Sequence, residues 1–240
     1  MPKDLKPEAV LFDLYRTLID ITTDERQPLV WETLSRFLRY QGLTAKADHL
    51  YDTFFHRTRL SQEQSLEKYP EVNVLAIFQS MLLELGYVGS DNLAVATTQL
   101  FRVLSILHFE LYPDSLSTLQ ALQRHYRLGL VSDAQRVFSE PELQMTGLEP
   151  LMEVIIISSD HWFNKPDPRM FTMALDQLKL SASQTVYVGD SLPRDIFGAQ
   201  QAGIYAVYLN RQHHTLDSKV DCMPQKMIHT LDELRDWLLT

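Results

Sequence analysis

Ala9-Val-Leu-Phe-Asp13-Leu-Tyr-Arg-Thr-Leu18 opens as an unbroken apolar run and stops on a carboxylate. Four apolar residues with no alternating polar position suit a strand buried on both faces, as in a parallel sheet. An acid where such a run ends lies at the carboxyl edge of the sheet, where open α/β sheets bind ligands. Similar runs recur further on: Leu128–Val131 before Ser132, Val154–Ile157 before Ser158-Ser159, Thr185–Val188 before Asp190, and Ile204–Leu209. Helical patterns separate them. Asp114 precedes Leu116, Leu119 and Leu122 at helical spacing, Pro168 to Leu178 and Pro193 to Ala202 read as helices, and Leu231 to Leu239 closes the chain. Strands alternating with helices specify βαβ units, and so an α/β fold: a doubly wound, parallel, Rossmann-like sheet with helices on both faces.

Between the first strand and the next lies a long helical block. Pro28 stands in a first turn ahead of Trp31, Leu34, Phe37 and Leu38, and Gly42 ends that helix. Thr44 is placed to cap a second helix carrying Leu50, Tyr51, Phe54 and Phe55. Val74 to Leu85 forms a third before Gly86, and Asp91 caps a fourth with Leu100, Val103, Leu104 and Leu107. No strand signal interrupts the block. The chain therefore divides into a discontinuous α/β core, residues 1–18 and 112–240, and an inserted helical cap, residues 19–111.

Composition narrows the function. The 240 residues carry 31 acidic and 22 basic side chains, a formal net charge of −9. An acidic surface repels phosphate backbones and anionic lipid, so no nucleic acid or membrane partner is expected. No apolar run approaches the ~18 residues of a membrane span, and the N-terminal one is too short for a signal peptide. The single cysteine, Cys222, excludes an intrachain disulfide and reads as an unreactive thiol in a polar loop. These features fit a cytoplasmic location. The eight histidines show no metal-ligand spacing, and the adjacent His213-His214 pair reads as solvated.

Four stretches, in order and over nearly the whole chain, resemble the motifs of the haloacid dehalogenase-like hydrolases. Phe12-Asp-Leu-Tyr-Arg-Thr-Leu18 resembles the first, an aspartate with Thr-Leu four and five positions on. Val131-Ser-Asp133 resembles the second, which supplies a hydroxyl, and Lys165-Pro-Asp-Pro-Arg-Met-Phe171 the third, built around a lysine. Val188-Gly-Asp-Ser-Leu-Pro-Arg-Asp195 is similar to the fourth. The resemblance implies that Asp13 is the nucleophile, that Ser132 hydrogen-bonds the transferring group, and that Lys165 neutralises charge on nucleophile and substrate. The chemistry is coherent: a carboxylate nucleophile splits one hard displacement into two easier ones, and a buried ammonium stabilises developing negative charge.

Asp190 and Asp195 raise a charge problem. If Asp190 converges on Asp13, both cannot be ionised cheaply unless a divalent cation lies between them. The expectation is Mg²⁺, held by Asp13, Asp190 and the backbone carbonyl of Tyr15, with Asp195 as a ligand or as support for one. The helix-start character of Ser191-Leu-Pro-Arg-Asp195 explains Asp195 equally well but leaves Asp190 unaccounted for.

Tyr15 pulls the other way. Phosphatases of the family usually carry an aspartate there, as the acid that protonates the leaving group. Its dehalogenases carry tyrosine, since halide leaves without a proton, but they are metal-free and typically have serine and asparagine where this chain has Asp190 and Leu192. A positioned general acid supplies roughly 10²- to 10⁴-fold, and a phenol of pKa about 10 is a poor substitute. The expected activity is a metal-dependent phosphohydrolase acting on a small phosphorylated metabolite through an aspartyl-phosphate. The alternatives are a metal-free 2-haloacid dehalogenase, or a binding or regulatory protein of the same family with weakened catalysis.

Overall fold

The computed structural model describes residues 5–213 and 222–240. In chain order the elements begin β1 (Ala9–Phe12), β2 (Ile19–Thr23), α1 (Pro28–Tyr40), α2 (Ala47–Glu63), α3 (Val74–Glu84), α4 (Asn92–Ser105) and β3 (Ile106–Leu111). There follow α5 (Ser115–Leu122), β4 (Arg127–Ser132), α6 (Arg136–Thr146), β5 (Val154–Ile157) and α7 (Pro168–Leu178). The chain ends with β6 (Thr185–Gly189), α8 (Phe197–Gln201), β7 (Tyr205–Leu209), β8 (Lys226–Ile228) and α9 (Leu231–Leu239).

The main sheet has six strands in the order β5-β4-β1-β6-β7-β8, and every pair in it is parallel. The fold is α/β and Rossmann-like. Strand β1 lies inside, between β4 and β6, with all four of its residues buried, which is why its sequence has no polar alternation. Its side chains nevertheless divide between two cores. Val10 and Phe12 join the cluster that takes in α5 and α9, whereas Ala9 and Leu11 join the cluster built on α7 and α8.

Helices α1 to α4 pack around a core of their own. Trp31 lies at its centre, in ring contact with Phe54 and Phe101, while Phe138 of α6 enters the same cluster. A strap from the α2–α3 connection also joins these helices to the sheet. The Asn164 amide donates to the Tyr69 carbonyl (2.9 Å), the Glu71 amide to that of Trp162 (3.0 Å), and the Val74 amide to Gln135 (2.8 Å). Glu71 accepts from the Ser158 hydroxyl, and burial raises its pKa.

Several expectations change. The block read as free of strands has one at each end: β2 and β3 form an antiparallel ribbon, with Ile21 opposite Phe109 and Asp20 opposite Glu110. Leu107 belongs to β3 rather than α4; it stands three residues after Leu104, which mimics helical spacing. Helix α2 starts at Ala47 after Lys46, not at Thr44, and neither Asp91 nor Asp114 caps its helix through the side chain. The Asp114 carboxylate instead accepts from Arg211 and the Leu231 amide. The helix expected from Pro193 begins as a π-helical turn over Leu192–Ile196 before α8. Helix α6 and strand β8 had no clear sequence signal. Cys222 lies buried in an apolar cluster and donates to the Leu192 carbonyl rather than facing a polar loop. His213 stacks on His229, and His214 lies outside the described residues. No helix among the described residues is long and apolar enough to cross a membrane.

Candidate active site

Four connections meet at the carboxyl edge of the sheet. Asp13 follows β1 and is 6 % exposed, held at the mouth of the sheet by its amide, which donates to the Val188 carbonyl (2.9 Å). Ser132 ends β4, Lys165 lies in the connection ahead of α7, and Asp190 and Asp195 follow β6. The structure brings all five together.

Lys165 is at the centre. Its ammonium donates to Asp13 Oδ1 (2.7 Å), Asp195 Oδ1 (2.6 Å) and the Tyr187 hydroxyl (3.1 Å), which uses all of its protons. Burial alone would drive a proton off Lys165, but Asp13, Asp195 and Asp133 outweigh it and keep the side chain charged well above its ordinary range. Asp13 Oδ1 also accepts from the Ser132 hydroxyl (2.9 Å). Even so, burial and then the Asp195 charge hold the Asp13 pKa above the usual carboxylate value, against the pull of Lys165.

The remaining oxygens favour a cation. Asp13, Asp190 and Asp195 each offer an oxygen within 4.8 Å of the others. Asp195 is already engaged, through Oδ1 with Lys165 and Tyr187 and through Oδ2 with the Ser191 amide (2.9 Å). Asp13 Oδ2 meets only the Thr17 hydroxyl, at 3.5 Å, and Asp190 makes no hydrogen bond among the described residues. Burial, Asp13 and Asp195 push the Asp190 pKa up to about 7, the conflict a divalent ion removes. Asp13 and Asp190 are thus the open donors, and Asp195 is the support that orients Lys165 and the β6–α8 turn. Gly189 makes this possible: a β-carbon there would stand 2.4 Å from Asp195 Cγ.

Tyr15 is turned away from such chemistry. Its hydroxyl donates to Glu142 Oε2 of α6 (2.6 Å), and Glu142 in turn accepts from Arg102 of α4 (2.7 Å). The Arg102 guanidinium lies 5.2 Å from the Tyr15 ring centre. Burial, then the Glu142 charge, raise the phenol further above its ordinary pKa, so it is a weaker acid than tyrosine in water. Glu142 is itself held by Arg102, away from Asp13.

Two residues escaped the sequence reading. Tyr187 reaches from β6, fully buried, to Lys165, Asp195 and the Val131 carbonyl (3.0 Å). The available signal was a tyrosine inside the apolar Val186-Tyr-Val188 run. Asp133 fixes the lysine backbone: its Oδ1 accepts from the Lys165 amide (2.8 Å), while Oδ2 lies 3.8 Å from Arg194 without a hydrogen bond. Burial carries the Asp133 pKa up to about 6.

Comparison with known proteins follows the same lines. Residues 10–209 match a family described as haloacid dehalogenase-like hydrolase. The chain is 29% identical over 161 residues to a glyceraldehyde 3-phosphate phosphatase of Methanopyrus kandleri, covering 64% of this chain and 69% of the relative. Among solved structures, a 2-haloacid dehalogenase from Pseudomonas syringae pv. tomato superimposes with a TM-score of 0.68 at 29% identity, covering 97% and 98% of the two chains. A phosphatase from Thermococcus onnurineus superimposes with a TM-score of 0.60 at 25% identity, covering 96% and 97%. Relatives of both chemistries therefore surround this chain.

Proposed function

The chain belongs to the haloacid dehalogenase-like hydrolase family, and from that premise we propose that it is a magnesium-dependent phosphohydrolase acting on a small phosphorylated metabolite. The observation that carries this reading is the pairing of Asp190, without a hydrogen-bond partner among the described residues, with Asp13 as nucleophile. An unpaired acid beside the nucleophile opposes attack on any substrate unless a cation lies between them. Asp13, Asp190 and the backbone carbonyl of Tyr15 would hold Mg²⁺, with Asp195 supporting them. When bound, the ion supplies charge neutralisation for the carboxylates and the phosphoryl oxygens.

A carboxylate oxygen of Asp13 attacks phosphorus, and the bond from phosphorus to the leaving oxygen breaks, leaving an aspartyl-phosphate. Lys165 and Ser132, both on Asp13 Oδ1, hold the nucleophile's orientation and face the charge that builds on the phosphoryl group. Water then attacks the same phosphorus, releasing phosphate and restoring Asp13. Because Tyr15 is committed to Glu142, the leaving group departs without strong protonation. Substrates with stable leaving groups, such as acyl or aryl phosphates, are favoured over alkyl esters. Residues 19–111 act as the cap that encloses the site, tied to the core through Arg102, Glu142 and the strap at Glu71.

The second reading, metal-free dehalogenation with Asp13 attacking carbon, is favoured by Tyr15 and by the dehalogenase structural relative. A panel of acyl, aryl and alkyl phosphates and 2-haloacids, assayed with and without Mg²⁺, separates the two. Magnesium-dependent phosphate release supports the proposal, and metal-independent halide release overturns it.

A further inference from the structure

Beside Asp190, on the side of β7, the surface opens into a cavity of about 180 Å³ lined by Arg16, Tyr112, Asp190, Tyr208 and Arg211. Arg211 is built into its wall. The guanidinium donates to both Asp114 oxygens (2.9 and 3.1 Å) and to the Thr17 carbonyl (3.0 Å), and it lies 3.8 Å from the centre of the Tyr112 ring. Its Nε is buried and lacks an acceptor among the described residues.

Arg16 is the contrasting case. Its backbone has a φ of 65°, in the left-handed region that side-chain-bearing residues avoid, and its amide is fixed to the Ile19 carbonyl (2.6 Å). The guanidinium makes no hydrogen bond, ion pair or ring contact among the described residues. Such backbone strain clusters at ligand sites, and here it presents an uncompensated cation three residues from Asp13. Asp114 balances Arg211, and a divalent ion would balance Asp190. With that ion bound, Arg16 is the lining cation without a partner among the described residues, and the cavity's volume is about six water molecules.

We propose that this cavity is a subsite for a second anionic group of the substrate, a carboxylate or a second phosphate, carried on the part of the molecule that leaves. Arg16 supplies the charge, and Arg211 forms a rigid wall, held by Asp114, the Thr17 carbonyl and the Tyr112 ring. The inference rests on the phosphohydrolase reading, since it places the scissile phosphate on Asp13. It predicts a compact substrate with anionic groups at both ends rather than a neutral or bulky alcohol.

The test compares 3-phosphoglycerate with glycerol 3-phosphate in the presence of Mg²⁺, since the two differ in a carboxylate. 2,3-Bisphosphoglycerate adds the second phosphate. Affinity is read as Kd by calorimetry, or as KM where the compound is turned over, and phosphate release is followed in parallel. Wild type should bind 3-phosphoglycerate or the bisphosphate at least tenfold more tightly than glycerol 3-phosphate. A gain already present with 3-phosphoglycerate identifies the second group as carboxylate; a gain seen only with the bisphosphate identifies it as phosphate. In Arg16→Gly that preference should fall to near unity while the unfolding midpoint stays equal or rises, because glycine tolerates the backbone angle. Arg16→Lys should retain part of the preference. No preference in wild type, or one that survives Arg16→Gly, overturns the subsite. Preferential binding leaves the subsite standing, and the hydrolase reading is overturned separately if neither these esters nor acetyl phosphate releases phosphate with Mg²⁺; release without preference does the reverse.

Discussion

Replacing Tyr15 with phenylalanine separates a tether from a catalytic hydroxyl. The change removes one oxygen and keeps the ring, so the contact with Arg102 remains. The lost interaction is a 2.6 Å bond to a buried carboxylate in an ion pair with Arg102, the kind worth roughly 1.5–3 kcal/mol. Glu142 Oε2 keeps a longer bond from Arg102 Nη2 at 3.4 Å, so it is not wholly stranded and the lower end applies, about 1.5 kcal/mol. For a chain of this length that corresponds to a fall in unfolding midpoint of roughly 3–6 °C. Because the hydroxyl faces Glu142, kcat on an aryl phosphate should change by no more than about threefold. Thermal denaturation and steady-state phosphate release with saturating Mg²⁺ read the two quantities on the same preparation. A variant with an unchanged midpoint and a kcat lower by a factor of about a hundred would refute the tether and place the phenol in the chemistry. Glu142→Gln is the companion: it weakens the Arg102 pair as well, so it should destabilise more than Tyr15→Phe.

Metal and pH should be linked at Asp190. Its pKa is raised to about 7 without the ion, so its own contribution to the stability of the metal-free protein is greatest below pH ~4. That contribution is lost as pH rises through 7. The increase in unfolding midpoint on adding Mg²⁺ should therefore grow between pH 5 and 8 in wild type and flatten in Asp190→Asn; an equal increment at both ends would refute the assignment. Tyr187→Phe leaves one Lys165 proton without an acceptor and the Val131 carbonyl without its donor. It should reduce stability by about 1–3 kcal/mol and lower kcat several-fold, as read by denaturant titration and phosphate release. An unaltered midpoint would show that the hydroxyl is not part of the buried network. Gly189→Ala would force Asp195 away from the Ser191 amide, so Mg²⁺ affinity measured by calorimetry should drop at least tenfold, and unchanged affinity would remove Asp195 from the support of the site.

The parallel sheet was legible because burial on both faces leaves a local trace, uninterrupted apolar runs such as Ala9–Phe12 and Val154–Ile157. The ends of those runs pointed to Asp13, Ser132 and Asp190, because a polar residue at the carboxyl edge of a buried strand has few other places to be. Strands β2 and β3 left a weaker trace. Each is a half-exposed ribbon strand whose partner lies about ninety residues away, and Leu107 continues the spacing of the helix before it. What the sequence determined by itself was the succession of elements and the identity of the groups gathered at one sheet edge. Only the tertiary structure decided which way their side chains are committed. Tyr15 stands two residues from Asp13, yet its hydroxyl belongs to Glu142, 127 positions along the chain. The third Lys165 proton goes to Tyr187, a residue of β6 whose sequence position gave no sign of it, and Arg16 is left without a partner among the described residues. Hydrogen-bond pairing in a folded core is a property of distance in space, and linear spacing carries no record of it.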